Sequence, residues 1–181
     1  IASILMDYGL YPTFIVGGVI EGLQTNARAG QGALLVIEAD EYDNMFLGLA
    51  PDVLVITNIE HDHPDCFPTK EEYFKAYVHL SRRIKTGGKL IVDMDQPGIV
   101  QLVSKIDQSQ KIIKYGQQTD SDYRISRVDH VPGHGVSFLL DCVPDQSEDF
   151  LGYPVQLSIP GNHNAMNAAS AIAVVDTIGL S

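Results

Sequence analysis

The segment Leu34–Phe67, LLVIEADEYDNMFLGLAPDVLVITNIEHDHPDCF, decides the predicted fold of this chain. It contains two short apolar runs rich in β-branched residues, Leu34–Ile37 and Val53–Thr57, and each run ends abruptly in polar residues. Such runs are typical of buried central strands in a parallel sheet. Because ligands bind outside the carboxyl ends of the strands in open α/β sheets, the two polar clusters are predicted to converge on one crevice.

The chain between Arg28 and Lys70 carries eight carboxylates and no lysine or arginine. These carboxylates are Glu38, Asp40, Glu41, Asp43, Asp52, Glu60, Asp62 and Asp65. Like charges that are held together either raise their own pKa values or recruit a cation. Glu38 and His63 each lie just past a predicted strand, and we interpret them as ligands of a divalent metal ion. The alternative for any one of these residues is a solvated acidic loop with ordinary helix N-caps.

Composition bounds the possible classes of function. The length of 181 residues and the hydrophobic content of 45% predict one globular domain. A net charge of -11 and a pI near 4.7 argue against a nucleic-acid partner and against an anionic membrane surface, because phosphate contacts need clustered Lys and Arg. The two cysteines, Cys66 and Cys142, lack CxxC spacing, which favours a reducing compartment. The sequence shows no membrane-spanning segment and no signal peptide, so the predicted location is the cytoplasm.

The remaining elements alternate strand and helix as far as Gly116, which predicts an α/β fold with helices on both faces of a mostly parallel sheet. A strand is predicted at Thr13–Val16, a polar loop at Glu21–Gly32, and a helix at Lys70–Lys85 with Thr69 and Glu72 in a capping box. After Gly116 three alternating segments without helices predict an antiparallel meander, and these are Tyr123–Val131, Gly135–Cys142 and Tyr153–Ile159.

The last segment begins at Pro160 and continues as an Ala-rich helix to about Ile178, with Asn162 as a candidate N-cap. His163, Asn164 and Asn167 lie at the start of this helix, where Asn164 and Asn167 are three residues apart and share a face. Two interpretations stay open on spacing alone. These side chains either cap and pack the helix, or they hydrogen-bond to the base of a bound ligand.

Four motifs in series resemble the central, ATP-binding domain of the Mur ligases. They are IEADEYD (Ile37–Asp43), TNIEHDHPD (Thr57–Asp65), YGQQTDSDYRI (Tyr115–Ile125) and PGNHNAMNAASAIAV (Pro160–Val174). Each motif alone is weak, but the four occur in the order of the family and extend over nearly the whole chain. The resemblance implies a fold like that of the P-loop NTPases. It also implies an enzyme of peptidoglycan precursor synthesis that uses ATP and Mg²⁺ to join a carboxylate to an amine through an acyl phosphate.

Site residues follow from the same resemblance. Glu38 and His63 match the magnesium ligands of the family, and His163, Asn164 and Asn167 match its adenine-contacting motif. The chain looks most like the alanine-adding branch, whose substrates are UDP-N-acetylmuramate and L-alanine. Val78 stands where other branches carry a carbamylated lysine, which also favours that branch. The branch that recycles murein tripeptide is the alternative within the family.

One family element is missing from the sequence, since no GxxxxGK[ST] motif occurs in it. The resemblance therefore predicts that residues 1–181 are a central domain that begins just after the phosphate loop and lacks the N- and C-terminal domains. By itself such a piece is expected to be inactive. Two alternatives come from other classes: a metal-dependent hydrolase that uses HxHxD at His61, His63 and Asp65, and a non-catalytic scaffold with weak nucleotide binding.

Overall fold

The computed structural model describes residues 1–107, 109–142 and 152–180 of the chain. The α-helices in these ranges are α1 (Ala2–Asp7), α2 (Lys70–Ser81), α3 (Pro97–Val103) and α4 (Asn162–Thr177). The strands are β1 (Thr13–Ile20), β2 (Thr25–Arg28), β3 (Leu35–Ile37), β4 (Val53–Ile56), β5 (Lys89–Asp93), β6 (Lys111–Gly116), β7 (Tyr123–Val131), β8 (Gly135–Cys142) and β9 (Tyr153–Leu157). The strands form two sheets of order β2-β1-β3 and β4-β5-β6-β7-β8-β9.

The larger sheet confirms the predicted change of topology after Gly116. Strands β4, β5 and β6 are parallel, and β7 joins β6 in parallel through only two residue pairs, Tyr115 with Tyr123 and Gly116 with Arg124. From there β7, β8 and β9 form the predicted antiparallel meander. The meander therefore extends the parallel sheet directly.

Helices cover both faces of the parallel strands, as predicted. In β5, Leu90, Ile91 and Val92 are all fully buried. Because side chains alternate along a strand, Leu90 and Val92 pack in the core on the side of α2 and α3, while Ile91 packs in the core on the side of α4. A strand that is buried on both faces is apolar throughout, which is why its sequence shows no alternation.

Helix α2 begins as the sequence predicts. Thr69 has extended backbone geometry, its hydroxyl oxygen accepts the Glu72 N–H at 3.2 Å, and the same hydroxyl donates to the Glu72 carboxylate at 3.1 Å. The predicted end at Lys85 is too late, because the helix ends at Ser81. Past that point Lys85 N–H donates to the carbonyl of Pro51, which joins the following turn to the start of β4 instead of continuing the helix.

The smaller sheet corrects two predictions. The predicted loop Glu21–Gly32 contains a 3-10 turn, Glu21–Leu23, and then strand β2, which pairs antiparallel with β1. The two runs of the opening segment are not central strands of one sheet. In the described residues β3 pairs with β1 alone and β4 with β5 alone, so each is an edge strand of a different sheet. Leu35 in β3 is 60% exposed, because an apolar sequence does not supply the neighbours that would bury it.

Helix α4 runs antiparallel to the parallel strands. Lys89 at the start of β5 donates its Nζ–H to the carbonyl of Thr177 at the end of α4, over 2.8 Å. Tyr123 at the start of β7 donates its hydroxyl to Asp176, also near the helix end. The start of α4 consequently lies toward the carboxyl ends of β4, β5 and β6. None of the helices in the described ranges is long and apolar enough to span a lipid bilayer.

Candidate functional site at the carboxyl edge of the sheet

The loops that follow β3 and β4 meet, although the two strands belong to different sheets. His63 Nε2 lies 3.6 Å from Glu41 Oε1, and the Tyr42 hydroxyl donates to Asp65 Oδ2 over 3.0 Å. The ring of Tyr42 also lies edge-on to the His63 imidazole, with ring centroids 5.3 Å apart. These contacts bring the two polar clusters of the opening segment together at one edge, as the sequence predicts.

Glu38 and His63, the two predicted metal ligands, have different partners in the structure. Glu38 follows β3 directly, and its Oε2 accepts the Gly17 N–H of the adjacent strand β1 at 2.7 Å. The space above Gly17 is narrow, since a Cβ there would lie 3.2 Å from Glu38 Oε1. The carboxylate next to His63 is that of Glu41, three residues further on. Sequence reasoning gave Glu41 only a place in the acidic cluster.

The backbone of His63 is strained, and local hydrogen bonds hold it. His63 has a φ of +52°, in the left-handed region that costs a non-glycine residue about 1 kcal/mol or more. Its carbonyl accepts the N–H groups of Cys66 and Phe67 at 2.9 and 2.8 Å, and its own N–H donates to Asp62 Oδ1 at 2.7 Å. This geometry directs the imidazole toward Glu41, and strain of this kind occurs preferentially at functional sites.

Two tyrosines of helix α2 hold Glu41 in place, Tyr73 by direct contact and Tyr77 through Tyr73. The Tyr73 hydroxyl donates to Glu41 Oε1 over 3.2 Å, and the hydroxyls of Tyr73 and Tyr77 are 3.1 Å apart. Burial raises the pKa of both phenols, so both remain protonated donors at neutral pH. A chain of contacts therefore runs from the core of α2 through Glu41 to His63. The sequence marks Tyr73 and Tyr77 only as residues of the buried helix face.

Tyr42 and Asp65 form a second link between the loops. Hydrogen bonding to the Cys66 side chain and then to Asp65 raises the pKa of Tyr42 to about 12. The same hydrogen bond from Tyr42 lowers the pKa of Asp65. The phenol thus remains neutral and the carboxylate remains charged across the physiological range, which keeps this contact independent of pH.

The start of α4 carries the three predicted nucleotide contacts. The N-cap residue of α4 is Gly161, with a φ of +111°, and the prediction of Asn162 is wrong. The side chain of Asn162 instead forms a hydrogen bond with His130 Nε2 at 2.8 Å. Asn164 Nδ2 donates to the carbonyl of Pro160 at 2.7 Å, while His163 and Asn167 are exposed. Since α4 is antiparallel to β5, these groups lie toward the same edge of the sheet as His63.

Asp93 at the end of β5 is a buried carboxylate at this edge. It is 3% exposed, accepts the Asp95 N–H at 2.9 Å, and bonds the Gln96 amide at 3.3 Å. Burial raises the pKa of Asp93 above the usual 3.8, which exceeds the opposing effect of these hydrogen bonds. The fold thus favours the protonated form of this side chain.

The raised pKa of Asp93 gives a prediction about stability and pH. The pKa of Asp93 is higher in the folded state than in the unfolded state. The folded state is therefore destabilised relative to the unfolded state as pH rises from 3.8 through the folded pKa. At higher pH the loss of stability stays constant. Asn cannot ionise and keeps an acceptor for Asp95. The unfolding free energy of Asp93→Asn minus that of the wild type is therefore expected to increase from pH 3.5 to 7. Urea titrations at each pH measure it, and a flat difference would contradict the assignment.

This edge carries carboxylate oxygens, which are the ligand type that Mg²⁺ prefers. Mg²⁺ is usually bound by one or two carboxylates together with phosphates and water. Within the described ranges, no cluster of three or more His, Cys, Asp or Glu side chains is arranged to hold a metal. Glu38 and His63 each offer one potential ligand, and an ion held by either would need phosphate oxygens and water to complete its coordination.

The HxHxD hydrolase alternative finds no support in this geometry. His61 Nε2 bonds the carbonyl of Phe67 at 2.7 Å, and its ring lies against Tyr73. His63 faces Glu41, and Asp65 accepts from Tyr42. The polar atoms of the three side chains therefore bond to three different residues, although Tyr42 contacts both His63 and Asp65, and they are not arranged as a common ligand set.

The fold and this edge define an α/β domain whose polar loops gather at the carboxyl ends of its parallel strands. The model of the Mur ligase middle domain matches residues 21–175. The chain therefore belongs to the Mur ligase family and contains its middle domain.

Individual relatives agree with the family match. The UDP-N-acetylmuramate--L-alanine ligase of Bradyrhizobium diazoefficiens is 38% identical over 183 aligned positions, which cover 100% of this chain and 38% of that protein. The protein of the same name from Frankia alni is 33% identical over 98% of this chain and 30% of its own length. The chain thus spans about a third of the length of these curated relatives.

A solved structure supports the fold. The crystal structure of UDP-N-acetylmuramate:L-alanyl-gamma-D-glutamyl-meso-diaminopimelate ligase from Neisseria meningitides superimposes with a TM-score of 0.80. The match covers 98% of this chain and 56% of that one, at 24% sequence identity. At this identity the likeness concerns the arrangement of helices and strands alone.

Proposed function

We propose that the full-length protein is a cytoplasmic, ATP-dependent ligase that joins L-alanine to the carboxyl group of UDP-N-acetylmuramate, a step of peptidoglycan precursor synthesis. The names of the two curated relatives support this choice of substrates. The observation that carries the proposal is the meeting of the β3 and β4 loops, where His63 lies 3.6 Å from Glu41, three residues after Glu38 in the sequence. That edge faces the start of α4, where the nucleotide contacts are proposed.

The reaction proceeds in two transfers. A carboxylate oxygen of UDP-N-acetylmuramate attacks the γ-phosphorus of ATP, the bond to the bridging oxygen breaks, and ADP leaves with that electron pair. The amino nitrogen of L-alanine then attacks the acyl carbon, inorganic phosphate leaves, and the nitrogen loses a proton. The carboxylate and the triphosphate are both negative, so positive charge and fixed donors must offset their repulsion.

Glu38 and His63 act in this scheme by holding a magnesium ion, and the Gly17 N–H fixes the Glu38 carboxylate. The bound ion would neutralise phosphate charge in the ground state and in the transition state. Glu41 positions His63, and Tyr73 holds Glu41 in turn. Such supporting contacts fix the orientation of a ligand side chain and commonly change affinity or activity by about 10–100-fold when they are removed.

The nucleotide base binds at the start of α4. Asn164 and Asn167 are three residues apart on this helix, and each amide offers both a donor and an acceptor, which is the combination that an adenine edge requires. The Asn164 amide is held by the Pro160 carbonyl, so its oxygen is left to accept a hydrogen bond. His163 is exposed beside them and can pack on the base.

The test is a comparison of two proteins. The full-length protein with Mg-ATP and UDP-N-acetylmuramate is expected to release phosphate only when L-alanine is added, and calorimetry is expected to show Mg-ATP binding. The 181-residue chain alone is expected to show neither, because it contains no GxxxxGK[ST] phosphate loop. Phosphate release with L-alanyl-γ-D-glutamyl-meso-diaminopimelate instead of L-alanine would assign the recycling branch. Metal-dependent ester hydrolysis by the short chain would overturn the proposal.

A further inference from the structure

A cavity of about 390 Å³ opens on the meander, on the face of β7 and β8 that points away from α4. The opposite face is the core, where Ile125 and Leu140 pack with the alanines of α4. Arg124 and Asp141 are paired across the two strands, so both side chains lie on the cavity side.

Arg124 forms one fixed wall of the cavity. Its Nε and Nη2 both donate to Asp141 Oδ2, at 2.8 and 2.5 Å. The guanidinium group has five N–H donors in a planar fork, so this contact leaves others available. Asp141 is well covered, with 16% of its side chain exposed, whereas 43% of the Arg124 side chain remains exposed. The pair therefore holds the arginine in place while the arginine still faces the cavity.

Arg127 borders the same cavity and lies at a β-bulge. The pairing of β7 with β8 shifts between Ser126 and Asp129, and Arg127 lies in this shift with a φ of +50°. Arg127 lies at the rim of the cavity with Ser126, and its side chain is exposed. Bulges commonly redirect a side chain near a functional site, and the left-handed backbone costs an arginine about 1 kcal/mol or more.

The charges at the cavity favour an anion. Arg124 is balanced by Asp141, but Arg127 has no carboxylate within ion-pair distance in the part of the chain that the structure describes. Among the described residues one positive charge is therefore left over at the cavity, in a chain whose net charge is -11. Gln117, Thr119 and Ser126 add an amide and two hydroxyls to the lining. Guanidinium groups combined with hydroxyl and amide donors are the usual environment of a bound phosphate group.

We propose that this cavity is a second ligand site, which binds the phosphate group of a small phosphorylated molecule between Arg127 and Arg124. The volume is within the range of small-molecule sites, about 300–1,000 Å³, and exceeds the need of inorganic phosphate alone. Arg127 supplies the uncompensated charge, and the hydroxyls of Thr119 and Ser126 supply neutral donors. The proposal does not depend on the ligase function, because none of these residues is among the proposed magnesium or nucleotide ligands.

The test is titration of the full-length protein with inorganic phosphate, followed by calorimetry and by the melting temperature, with ADP and Mg²⁺ present to fill the nucleotide site. The wild type is expected to show saturable binding. Arg127→Gly is expected to weaken it about 10–100-fold, the effect of losing a charged hydrogen-bond donor. Glycine adopts the left-handed backbone without strain, so Arg127→Gly is expected to fold normally. Arg127→Asn, which also tolerates this backbone, serves as a second variant.

The matched control is Arg82→Gln, which removes an exposed positive charge at the end of α2. It is expected to leave phosphate binding unchanged. Equal weakening in Arg82→Gln and Arg127→Gly would show a general charge effect and would overturn the site. Absence of saturable phosphate binding in the wild type would overturn it as well. Succinate at equal ionic strength tests the class of ligand. If succinate displaces phosphate and binds as tightly as phosphate does, the assignment to phosphate is overturned.

Discussion

Glu38→Ala is expected to lower the turnover of the full-length protein by about 10²–10³-fold while its melting temperature changes little. The substitution removes the carboxylate proposed to hold the magnesium ion. It also removes one of eight negative charges between Arg28 and Lys70, which lessens repulsion in the folded state. The hydrogen bond from Gly17 is lost, but the Glu38 side chain is exposed, so the cost to stability is small. Steady-state kinetics at saturating Mg-ATP and a thermal melt measure the two effects.

Two variants separate the charge of Glu38 from its other contacts. Glu38→Gln retains an acceptor for Gly17 and loses only the charge, so its rate is expected to fall nearly as far. Asp52→Asn removes a carboxylate from the same acidic span, where Asp52 forms an exposed ion pair with Lys85. Exposed ion pairs contribute about 0–1 kcal/mol, and this control is expected to retain wild-type turnover. An unchanged rate in Glu38→Ala together with a lowered melting temperature would refute the metal role.

Ala169→Leu is expected to destabilise the protein by about 1–3 kcal/mol, because it overfills the contact between α4 and the sheet. Ala165, Ala169 and Ala173 are at most 1% exposed and face the strands in successive turns of the helix. Their small side chains let the helix backbone approach the strands closely. A leucine at the middle position must displace the helix, and Asn164 and Asn167 would move with it.

Ala171→Leu is the matched control for this prediction. Ala171 lies on the same helix but is only partly buried, so an identical increase in volume can point outward. Urea denaturation of both variants gives the difference in unfolding free energy, and nucleotide titration of the full-length protein reports the displacement of the asparagines. If both leucine variants unfold at the same urea concentration, close packing of α4 is not the reason for its alanines.

The elements that sequence predicts well are those in which local chemistry and tertiary packing agree. Thr69 and Glu72 specify the start of α2 by their own hydrogen bonds, and the alternation in Tyr123–Val131 and Gly135–Cys142 gives both strands of the meander with their observed ends. Strand β2 was missed because Thr25–Arg28 is short and polar. Its existence depends on pairing with β1, which is not visible in its own composition.

The sequence predicts where the site lies on the sheet, but it does not predict which side chains contact each other there. The position of two polar clusters after two apolar runs predicts that they share an edge, and the structure joins them through Tyr42 and Asp65. Sequence spacing does not show that Glu41 lies beside His63, because this contact joins loops that follow strands of two different sheets. The metal role of Glu38 and His63 stays a prediction, as do the contacts of His163, Asn164 and Asn167 with adenine.

The antiparallel course of α4 has an electrostatic consequence for anything that approaches this edge. A helix of 16 residues concentrates about half an elementary positive charge at its first N–H groups. The opposite side of the edge carries the carboxylates of residues 38–65, with no lysine or arginine among them. The edge is thus polarised from one side to the other. An incoming polyanion is drawn to the amide end of α4, while the loops of Glu41 and His63 repel it until a cation screens them.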